Sequence, residues 1–475
     1  MDNPWLAGLD DLGDIDVIRR RAWVPGQAVS LPDGVPIELR TQALSQALAS
    51  IYVPTDRGCR ILTLLVGRMR AFLHDCYPDA RTFLSRLYDG PAEDRGEVFL
   101  CLTGPAGVGK SALMAALERV LPAPQRLRLD AAHPQVRIDL VRRVQVKANI
   151  SDSAVLCALA NPAFASRRKV PKVSEAIEHL RRWFYTCGVA TVVVDEMQFL
   201  TQSATANTRA AQLLLSLGYP GVPVTYIANY SLGHRLKARP QEERQRLLAD
   251  HLVLRPDPPD AASWEALVAE YVKVAPDVLR LDPESHAWDL HRMTGGLPRL
   301  LRQLITTTFR YLAPANGGVV SIGALREIYR SRYFDTQRTD VEAMLSLSES
   351  MLLARGRKDL VCPFAGKDVA GDGLGYAENA ADGASKTGSD SPFHAVPLSA
   401  QHQLESTLSP AAHATLKQLR RSGTTVAKKA RKGATVTPIR RNSGSVEADL
   451  FAGIQALRDL NDKGKRRPPD PDDDA

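Results

Sequence analysis

Long apolar runs are missing from this 475-residue sequence. No stretch approaches the roughly 20 consecutive apolar residues that a membrane-spanning helix requires. The amino terminus, MDNPWLAGLDDLGDID, is acidic, whereas a secretory signal begins with basic residues and continues with apolar ones. We therefore expect a cytoplasmic protein without a membrane partner. Its apolar content of 44% is enough for a folded globular protein.

Cysteine is also scarce, and its spacing excludes two further classes of protein. The six cysteines lie far apart and form no C-x-x-C pair, so neither a disulfide-rich secreted fold nor a cysteine-based zinc site is expected. They are interpreted as free thiols in a reducing compartment. The six are Cys59, Cys76, Cys101, Cys157, Cys187 and Cys362.

Acidic residues are absent from one long stretch near the carboxyl terminus. Between Ala411 and Arg441 there are nine Lys or Arg residues and no Asp or Glu. Because the whole chain carries a formal charge of +8 and this stretch +9, the remainder is close to neutral. A basic tail of this kind indicates a phosphate-backbone partner, and the alternative is a merely solvated, disordered segment.

Apolar strands alternate with helical stretches between residues 91 and 258. The strand-like segments are EVFLCLTG, RVQVKANI, VATVVVDE, VPVTYIAN and HLVLRP. Strands rich in Val, Ile and Leu that are separated by helices are typical of a parallel sheet covered by helices on both faces. The predicted fold class is therefore α/β, with residues 91–258 as its core.

The segments that flank this core differ from it in composition. Residues 1–90 include an amphipathic helical pattern at 59–76 and are predicted to form a mostly helical extension. Residues 259–357 contain four helical stretches without a strand signal, which predicts a helical lid. Residues 358–444 begin with a Gly-, Ala-, Ser- and Asp-rich stretch and are predicted to be a disordered, basic linker.

The last segment, residues 445–475, contains another amphipathic pattern, SVEADLFAGIQALRDL. Val446, Leu450, Ile454 and Leu457 recur at helical spacing. A single helix at the end of a disordered tail cannot bury its own apolar face. We therefore predict that it docks into a groove of a partner protein, the alternative being its own core.

A phosphate-binding motif, GPAGVGKS, begins at Gly104. It follows an apolar strand and precedes a helix, and this context separates a P-loop from a chance glycine-rich turn. Backbone N–H groups surround the phosphates, Lys110 supplies a cation and Ser111 offers a hydroxyl to Mg²⁺. The predicted cofactors are thus ATP and Mg²⁺. The predicted nucleotide contacts are Gly104, Gly107, Gly109, Lys110, Ser111 and Ala112.

Two adjacent carboxylates follow the apolar strand in TVVVDEMQ. Asp195 is placed at the carboxyl end of a strand beside the P-loop, where it holds Mg²⁺ together with Ser111. Glu196 is placed to orient and polarise an attacking water, which favours hydrolysis over phosphate transfer to another substrate. The alternative for Glu196 is an exposed carboxylate at the start of a helix. We predict an ATPase.

Two polar residues outside these motifs complete the predicted site. Asn229 ends the apolar strand VPVTYIAN, at the edge of the sheet where ligands bind in open α/β folds. It is predicted to contact the γ-phosphate or the attacking water, and the alternative is a turn-forming Asn. Arg299, in TGGLPRLLRQL, follows a glycine–proline turn that directs it toward the phosphates, the alternative being a solvated arginine.

Together, the P-loop, Asp195, Glu196, Asn229 and the GGLPR sequence ending at Arg299 resemble an AAA+ ATPase over about residues 96–330. The resemblance matches Asn229 to sensor 1 and Arg299 to sensor 2 of that superfamily. It implies a homo-oligomer, either a ring or a helical filament, with ATP between subunits and an arginine finger from the neighbour. The finger candidates are Arg239, Arg244 and Arg246, of which we favour Arg246 because its predicted helix ends just before HLVLRP.

A narrower resemblance rests on IYVPT at 51–55, on VVVDEMQFL and on the tail. These features look like the TniB/TnsC group of transposition ATPases. The resemblance implies a regulator of DNA transposition that assembles on target DNA and recruits or activates a transposase, with target-selection proteins as further partners. One alternative is an initiator-type or helicase-loading AAA+ ATPase with a winged-helix domain after the lid. Another is an ATP-binding signalling switch with negligible hydrolysis.

A basic loop in the core is the predicted contact with double-stranded DNA. In NPAFASRRKVPK, Arg167, Arg168 and Lys169 lie between two prolines and Lys172 directly follows the second. These four cations can neutralise phosphates without reading bases. The only aromatic residue nearby is Phe164, which disfavours a platform for stacking single-stranded bases. A solvated loop is the alternative.

Overall fold

The structure, a computed structural model, describes residues 5–6, 8–89, 99–147, 150–160, 171–197, 206–312 and 318–364. All of them belong to one unit, Met1–Ala377. The tail beyond residue 364, with most of the predicted linker and all of the predicted docking helix, lies outside the described residues. Among the described helices, none has the length and apolar character needed to cross a bilayer.

A five-stranded sheet with the order β4-β5-β6-β1-β7 forms the centre of the fold. Its strands are β1 (Phe99–Gly104), β4 (Val141–Gln145), β5 (Thr191–Asp195), β6 (Val224–Asn229) and β7 (Asp250–Val253). Every neighbouring pair is parallel. β1 and β5 are buried along their whole length, as expected for strands covered on both faces. The predicted α/β fold class is confirmed.

Helices connect the strands of this sheet and cover it. They are α5 (Lys110–Val120), α6 (Asp152–Ala160), α7 (Val173–Thr186), α8 (Ala206–Gly218), α9 (Tyr230–Lys237) and α10 (Gln241–Leu247). A small antiparallel pair, β2 (Gln125–Leu127) with β3 (Val136–Ile138), precedes β4. The sequence analysis missed this pair, because three-residue strands are too short to show an alternating pattern.

Four helices precede the core: α1 (Ile15–Ala22), α2 (Ile37–Ser50), α3 (Asp56–Cys76) and α4 (Ala80–Asp89). α3 contains the predicted helix 59–76 and begins three residues earlier. The reason is an N-cap, since Gly58 N–H donates to Thr55 Oγ1 at 2.9 Å. The apolar face of α3, which includes Ile61, Leu65 and Met69, is buried in the core.

The segment after the core is helical, and it contains a strand pair that the sequence did not reveal. Its helices are α11 (Ala262–Val274), α12 (Pro283–Thr294), α13 (Pro298–Tyr311), α14 (Ile322–Arg330), α15 (Asp335–Ser346) and α16 (Glu349–Ala354). The expectation of no strands here is wrong, because β8 (Leu279–Arg280) pairs in parallel with β9 (Val320–Ser321). Strands of two residues carry no periodicity to detect.

The amino-terminal extension contacts both the core and the lid. α1 packs on α5 of the core, whereas α2 packs on α11 and α13 of the lid. In the segment between α1 and α2, Gly26 N–H donates to the buried carboxylate of Glu270 at 2.8 Å. A Cβ atom at Gly26 would lie 2.3 Å from the Glu270 carbonyl oxygen, so this close approach requires glycine. The amino-terminal extension therefore connects the core to the lid.

Residues 358–364 do not behave as the linker predicted for 358–444. Val361 and Cys362 are buried, and the Val361 carbonyl oxygen lies 2.9 Å from His234 Nε2 on α9. The Phe364 ring stacks on His251 of β7 with the centroids 4.0 Å apart. This stretch returns from the lid to the core because its few apolar side chains find a surface there, which local composition does not show.

Candidate nucleotide-binding site

The strand order brings the predicted site residues to one edge of the sheet. Because β6 lies between β5 and β1, the carboxyl ends that carry Asp195, Asn229 and the P-loop are adjacent. Asn229 is the direct register partner of Gly104. A cavity of about 660 Å³ opens at this edge, between the core, α13 and the amino-terminal extension. Its size suits a nucleotide-sized ligand.

The P-loop adopts the backbone conformation that its glycines allow. Gly107 and Gly109 have φ values of +88° and +105°, a region that favours glycine. Gly109 is the N-cap of α5, so the helix begins at Lys110 and its first N–H groups face the cavity. In this conformation, Lys110 Nζ donates to the carbonyl oxygens of Gly104 at 2.8 Å and Pro105 at 2.9 Å. These bonds use two of the three ammonium N–H donors, and Lys110 lines the cavity.

Burial lowers the pKa of Lys110 to about 8, and the nearby Arg299 adds to this lowering while Asp195 and Glu196 oppose it. Only the ammonium form attracts phosphate. ATP affinity is therefore expected to be full below pH 8 and to fall above it, by up to about tenfold per pH unit. A fluorescent ATP analogue titrated between about pH 7 and 9.5 measures this, and a flat affinity profile would contradict it.

The Asp195 carboxylate lies at the base of the cavity and is 1% exposed. Its Oδ1 accepts hydrogen bonds from Ser111 Oγ at 3.1 Å and from Glu196 N–H at 2.8 Å. A hydroxyl and a carboxylate this close form the hard oxygen donor set that suits Mg²⁺. The residues present therefore fit the predicted metal, with Ser111 and Asp195 as its protein ligands.

Glu196 has an unusual backbone conformation. Its φ of +62° makes it the only non-glycine residue with positive φ in the described part of the chain. Such a conformation costs about 1 kcal/mol or more, and residues in it are concentrated at functional sites. Glu196 lines the cavity next to Asp195. This placement agrees with the predicted role of a carboxylate that faces the attacking water.

Asn229 and Arg299 also line the cavity, from opposite sides. Asn229 is half-buried at the end of β6, immediately before α9. Arg299 lies in the first turn of α13, and its N–H is 3.4 Å from the Gly107 carbonyl oxygen. A Cβ atom at Gly107 would lie 3.1 Å from Arg299 Cβ. The lid helix thus rests directly on the P-loop, and the sensor role of Arg299 stays a prediction.

Several residues of the site were missed by the sequence analysis. The apolar end of the cavity is lined by Ile51, Tyr52 and Val53 of the extension, together with Trp264 and Tyr271 of α11. This surface suits the flat, largely apolar face of a nucleotide base. The IYVPT stretch was noticed only as part of a resemblance, because nothing in its local pattern shows that it lies against the P-loop.

Arg143 is a further residue that the sequence analysis missed. It lies in the middle of β4, and its guanidinium donates to Asp195 Oδ2 at 2.7 Å. An arginine within a basic strand gives no signal of such a contact, which arises only because β4 pairs with β5.

The three finger candidates differ in their surroundings. Arg239 forms a two-pronged ion pair with Glu243 at 2.8 and 2.9 Å and donates to Thr208, so its guanidinium is engaged within the subunit. Arg244 and Arg246 are exposed on α10, and neither is among the described residues that line the cavity. Both stay predictions for a group that acts on a neighbouring subunit, with Arg246 first.

The predicted DNA loop falls mostly outside the described residues. Arg167, Arg168 and Lys169 are not described, whereas Lys172 is exposed at the N-cap of α7. Its N–H is 3.4 Å from a carboxylate oxygen of Glu175. The DNA-binding role of this loop stays a prediction.

Comparisons with known proteins agree with the core. Residues 93–236 match a family model described as an AAA domain. No curated protein matches the chain. The TniB/TnsC resemblance has no counterpart in these comparisons and stays a prediction.

Three similar solved structures are more distant. Aeropyrum pernix Orc1 protein in complex with DNA is 19% identical, with a TM-score of 0.35 over 61% of this chain and 70% of that one. Pyrobaculum aerophilum Cdc6p is 14% identical, with a TM-score of 0.36 over 72% and 74%. Domain III of the Thermotoga maritima replication initiation protein DnaA is 14% identical, with a TM-score of 0.30 over 53% and 91%. The parallel sheet, the P-loop and the matching family model identify the core of this chain as a P-loop AAA+ fold.

Proposed function

We propose that this protein is a Mg²⁺-dependent AAA+ ATPase whose ATP-bound subunits assemble on double-stranded DNA. The observation that carries the ATPase part is the meeting of Lys110, Asp195, Glu196, Asn229 and Arg299 in one cavity. Phosphate hydrolysis uses this set of groups, namely a cation, a metal ligand with a carboxylate beside it, an amide and a second cation. A protein that only bound ATP would not need Glu196 at this place.

Each side chain has a defined part in this mechanism. Lys110 binds the β- and γ-phosphate oxygens, and Arg299 reaches the phosphates from the lid. Ser111 and Asp195 would hold Mg²⁺, which supplies charge neutralisation at the phosphates when bound. Glu196 polarises the attacking water by accepting its proton, and Asn229 orients that water or the γ-phosphate.

The position of two exposed arginines supports the proposed assembly. Because Arg244 and Arg246 lie outside the described lining of their own cavity, either can complete catalysis only at the cavity of a neighbouring subunit. ATP bound between subunits then stabilises the homo-oligomer by mass action, and hydrolysis releases it.

Two tasks on DNA are compatible with this mechanism. In the first, which the sequence resemblance implies, the assembly recruits or activates a transposase. In the second, the assembly is of the initiator or helicase-loading type. Of the similar structures, one is a complex with DNA and another is a domain of a replication initiation protein. Since all three TM-scores lie below 0.5, the choice between the tasks depends on experiment.

DNA-dependent assembly tests the DNA part of the proposal. Light scattering and electron microscopy of the protein with duplex DNA and a non-hydrolysable ATP analogue are expected to show oligomers that form only with both ligands. Changing Arg167, Arg168, Lys169 and Lys172 to Ala is expected to abolish this assembly and to flatten the salt dependence of DNA binding, by about one unit of slope per lost phosphate contact.

A tail deletion serves as the matched variant in this test. It should remove residues 365–475 and not begin at 358, because 358–364 pack on α9 and β7. The truncated protein is expected to assemble on DNA and to lose only its coupling to a partner protein. If the loop variant assembles on DNA and the truncated protein does not, the DNA contacts lie in the tail. A helicase and a transposase offered as partners then distinguish the two tasks.

A further inference from the structure

One guanidinium contacts both of the residues that are expected to hold the metal. Arg143 Nη2 donates to Asp195 Oδ2 at 2.7 Å and also lies 3.3 Å from the Ser111 carbonyl oxygen. The Arg143 side chain is 17% exposed and Asp195 only 1%, so water screens this pair weakly. A second acid, Glu118, is more distant, with its Oε2 atom 3.9 Å from Arg143 Nη1.

The two oxygens of the Asp195 carboxylate are used differently. Oδ1 faces the Ser111 hydroxyl and the Glu196 N–H, whereas Oδ2 is taken by Arg143. Arg143 therefore leaves the oxygen beside Ser111 for the metal and fixes the orientation of the carboxylate through the other oxygen. A partner of this kind orients a metal ligand and changes its affinity for the metal.

The charges at this place leave no excess of negative charge for a free metal ion. In the nucleotide-free protein, Asp195 brings one negative charge and Arg143 brings one positive charge at ion-pair distance. The second carboxylate of the cavity, Glu196, is offset by the Lys110 ammonium and the Arg299 guanidinium, which line the same cavity. A free divalent cation therefore finds no net negative charge to attract it. The phosphates of ATP supply the excess negative charge that a metal needs.

We propose that Arg143 is a positioning residue that makes metal binding conditional on nucleotide. It holds Asp195 in the orientation for Mg²⁺ and, by its charge, prevents Mg²⁺ from occupying the site before ATP arrives. This inference rests on the proposed Mg²⁺-dependent ATPase function, and it adds a residue of β4 to a site otherwise built from β1, β5, β6 and the lid.

Calorimetric titration of the nucleotide-free protein with Mg²⁺ alone tests the proposal. Arg143→Gln removes the charge but keeps an N–H donor that can hold Asp195 Oδ2, so its affinity for Mg²⁺ is expected to rise by about tenfold or more over the wild type. Arg143→Lys keeps the charge and is expected to resemble the wild type. Arg209→Gln is the matched control, because it removes an arginine from an ion pair with Asp152, at 3.0 Å, outside the cavity.

Equal Mg²⁺ affinity of Arg143→Gln and the wild type would overturn the proposal. If that variant does not fold, Arg143→Met, which also removes the charge, takes its place, and a Mg²⁺ affinity equal to that of the wild type would again overturn the proposal. A wild type that binds no ATP, with or without Mg²⁺, refutes the proposed function itself and this inference with it. ATP binding with unchanged metal dependence refutes only the role of Arg143.

Discussion

Replacement of Glu196 by Gln is expected to lower ATP hydrolysis by about 10²–10⁴-fold while ATP binding and ATP-dependent assembly persist. Gln keeps the shape of the side chain but cannot accept the proton of the attacking water. Lys110→Ala removes the cation that binds the phosphates, so it is expected to abolish binding and assembly together. Steady-state phosphate release and binding of a fluorescent ATP analogue measure the two effects separately.

The control for Glu196→Gln is Glu178→Gln, which makes the same chemical change on the exposed surface of α7. It is expected to hydrolyse ATP at the wild-type rate. Normal hydrolysis by Glu196→Gln would refute the assignment of the water-activating carboxylate. Loss of ATP binding in that variant would show that the Glu196 carboxylate supports nucleotide binding rather than the chemistry alone.

Mixtures of two inactive variants are expected to recover ATPase activity. Arg246→Ala lacks the proposed finger and Lys110→Ala lacks the phosphate contact, and each alone is expected to lose about 10³-fold or more of its hydrolysis rate. Although Lys110→Ala does not assemble alone, ATP bound to an Arg246→Ala subunit can still bridge to it, and that interface pairs an intact P-loop with an intact finger from the neighbour. Phosphate release measured across mixing ratios should therefore pass through a maximum.

Two further arginines make this test specific. Arg244→Ala is mixed in the same way, and recovery with Arg244→Ala but not with Arg246→Ala would reassign the finger. Arg239→Ala is the control, because its guanidinium is held by Glu243 within the subunit. Its change is expected to lower stability and to leave the mixing behaviour unaltered. The absence of recovery in every mixture would refute catalysis shared between subunits.

The parts of the site that could be predicted are those encoded within short windows of sequence. Gly107 and Gly109 stand at the positions where the backbone needs positive φ, and Lys110 follows at the start of a helix. The apolar strand before Asp195 fixes that carboxylate at a strand end. Local patterns of this kind specify the backbone conformation of the residues that form them. The structure therefore agrees with the sequence at these positions.

The contacts of Asp195 could not be predicted in the same way. Arg143 is 52 residues away in the sequence and meets Asp195 only because β4 and β5 are neighbours in the sheet. Tyr52 and Trp264 also could not be predicted, because they come from segments far apart in the sequence, the extension and the lid. Both line the cavity. Each belongs to a pattern that indicates only a strand, a turn or a helix.

The sequence by itself therefore determined the fold class, the P-loop and the strand ends of this AAA+ core. The tertiary structure alone decided that Arg143 pairs with Asp195, that Arg239 pairs with Glu243, and that residues 358–364 return to the core. The physical reason is that the formation of a strand depends on the polarity of residues that are close in the sequence. Ion pairs and packing depend instead on which distant segments the strand order brings together.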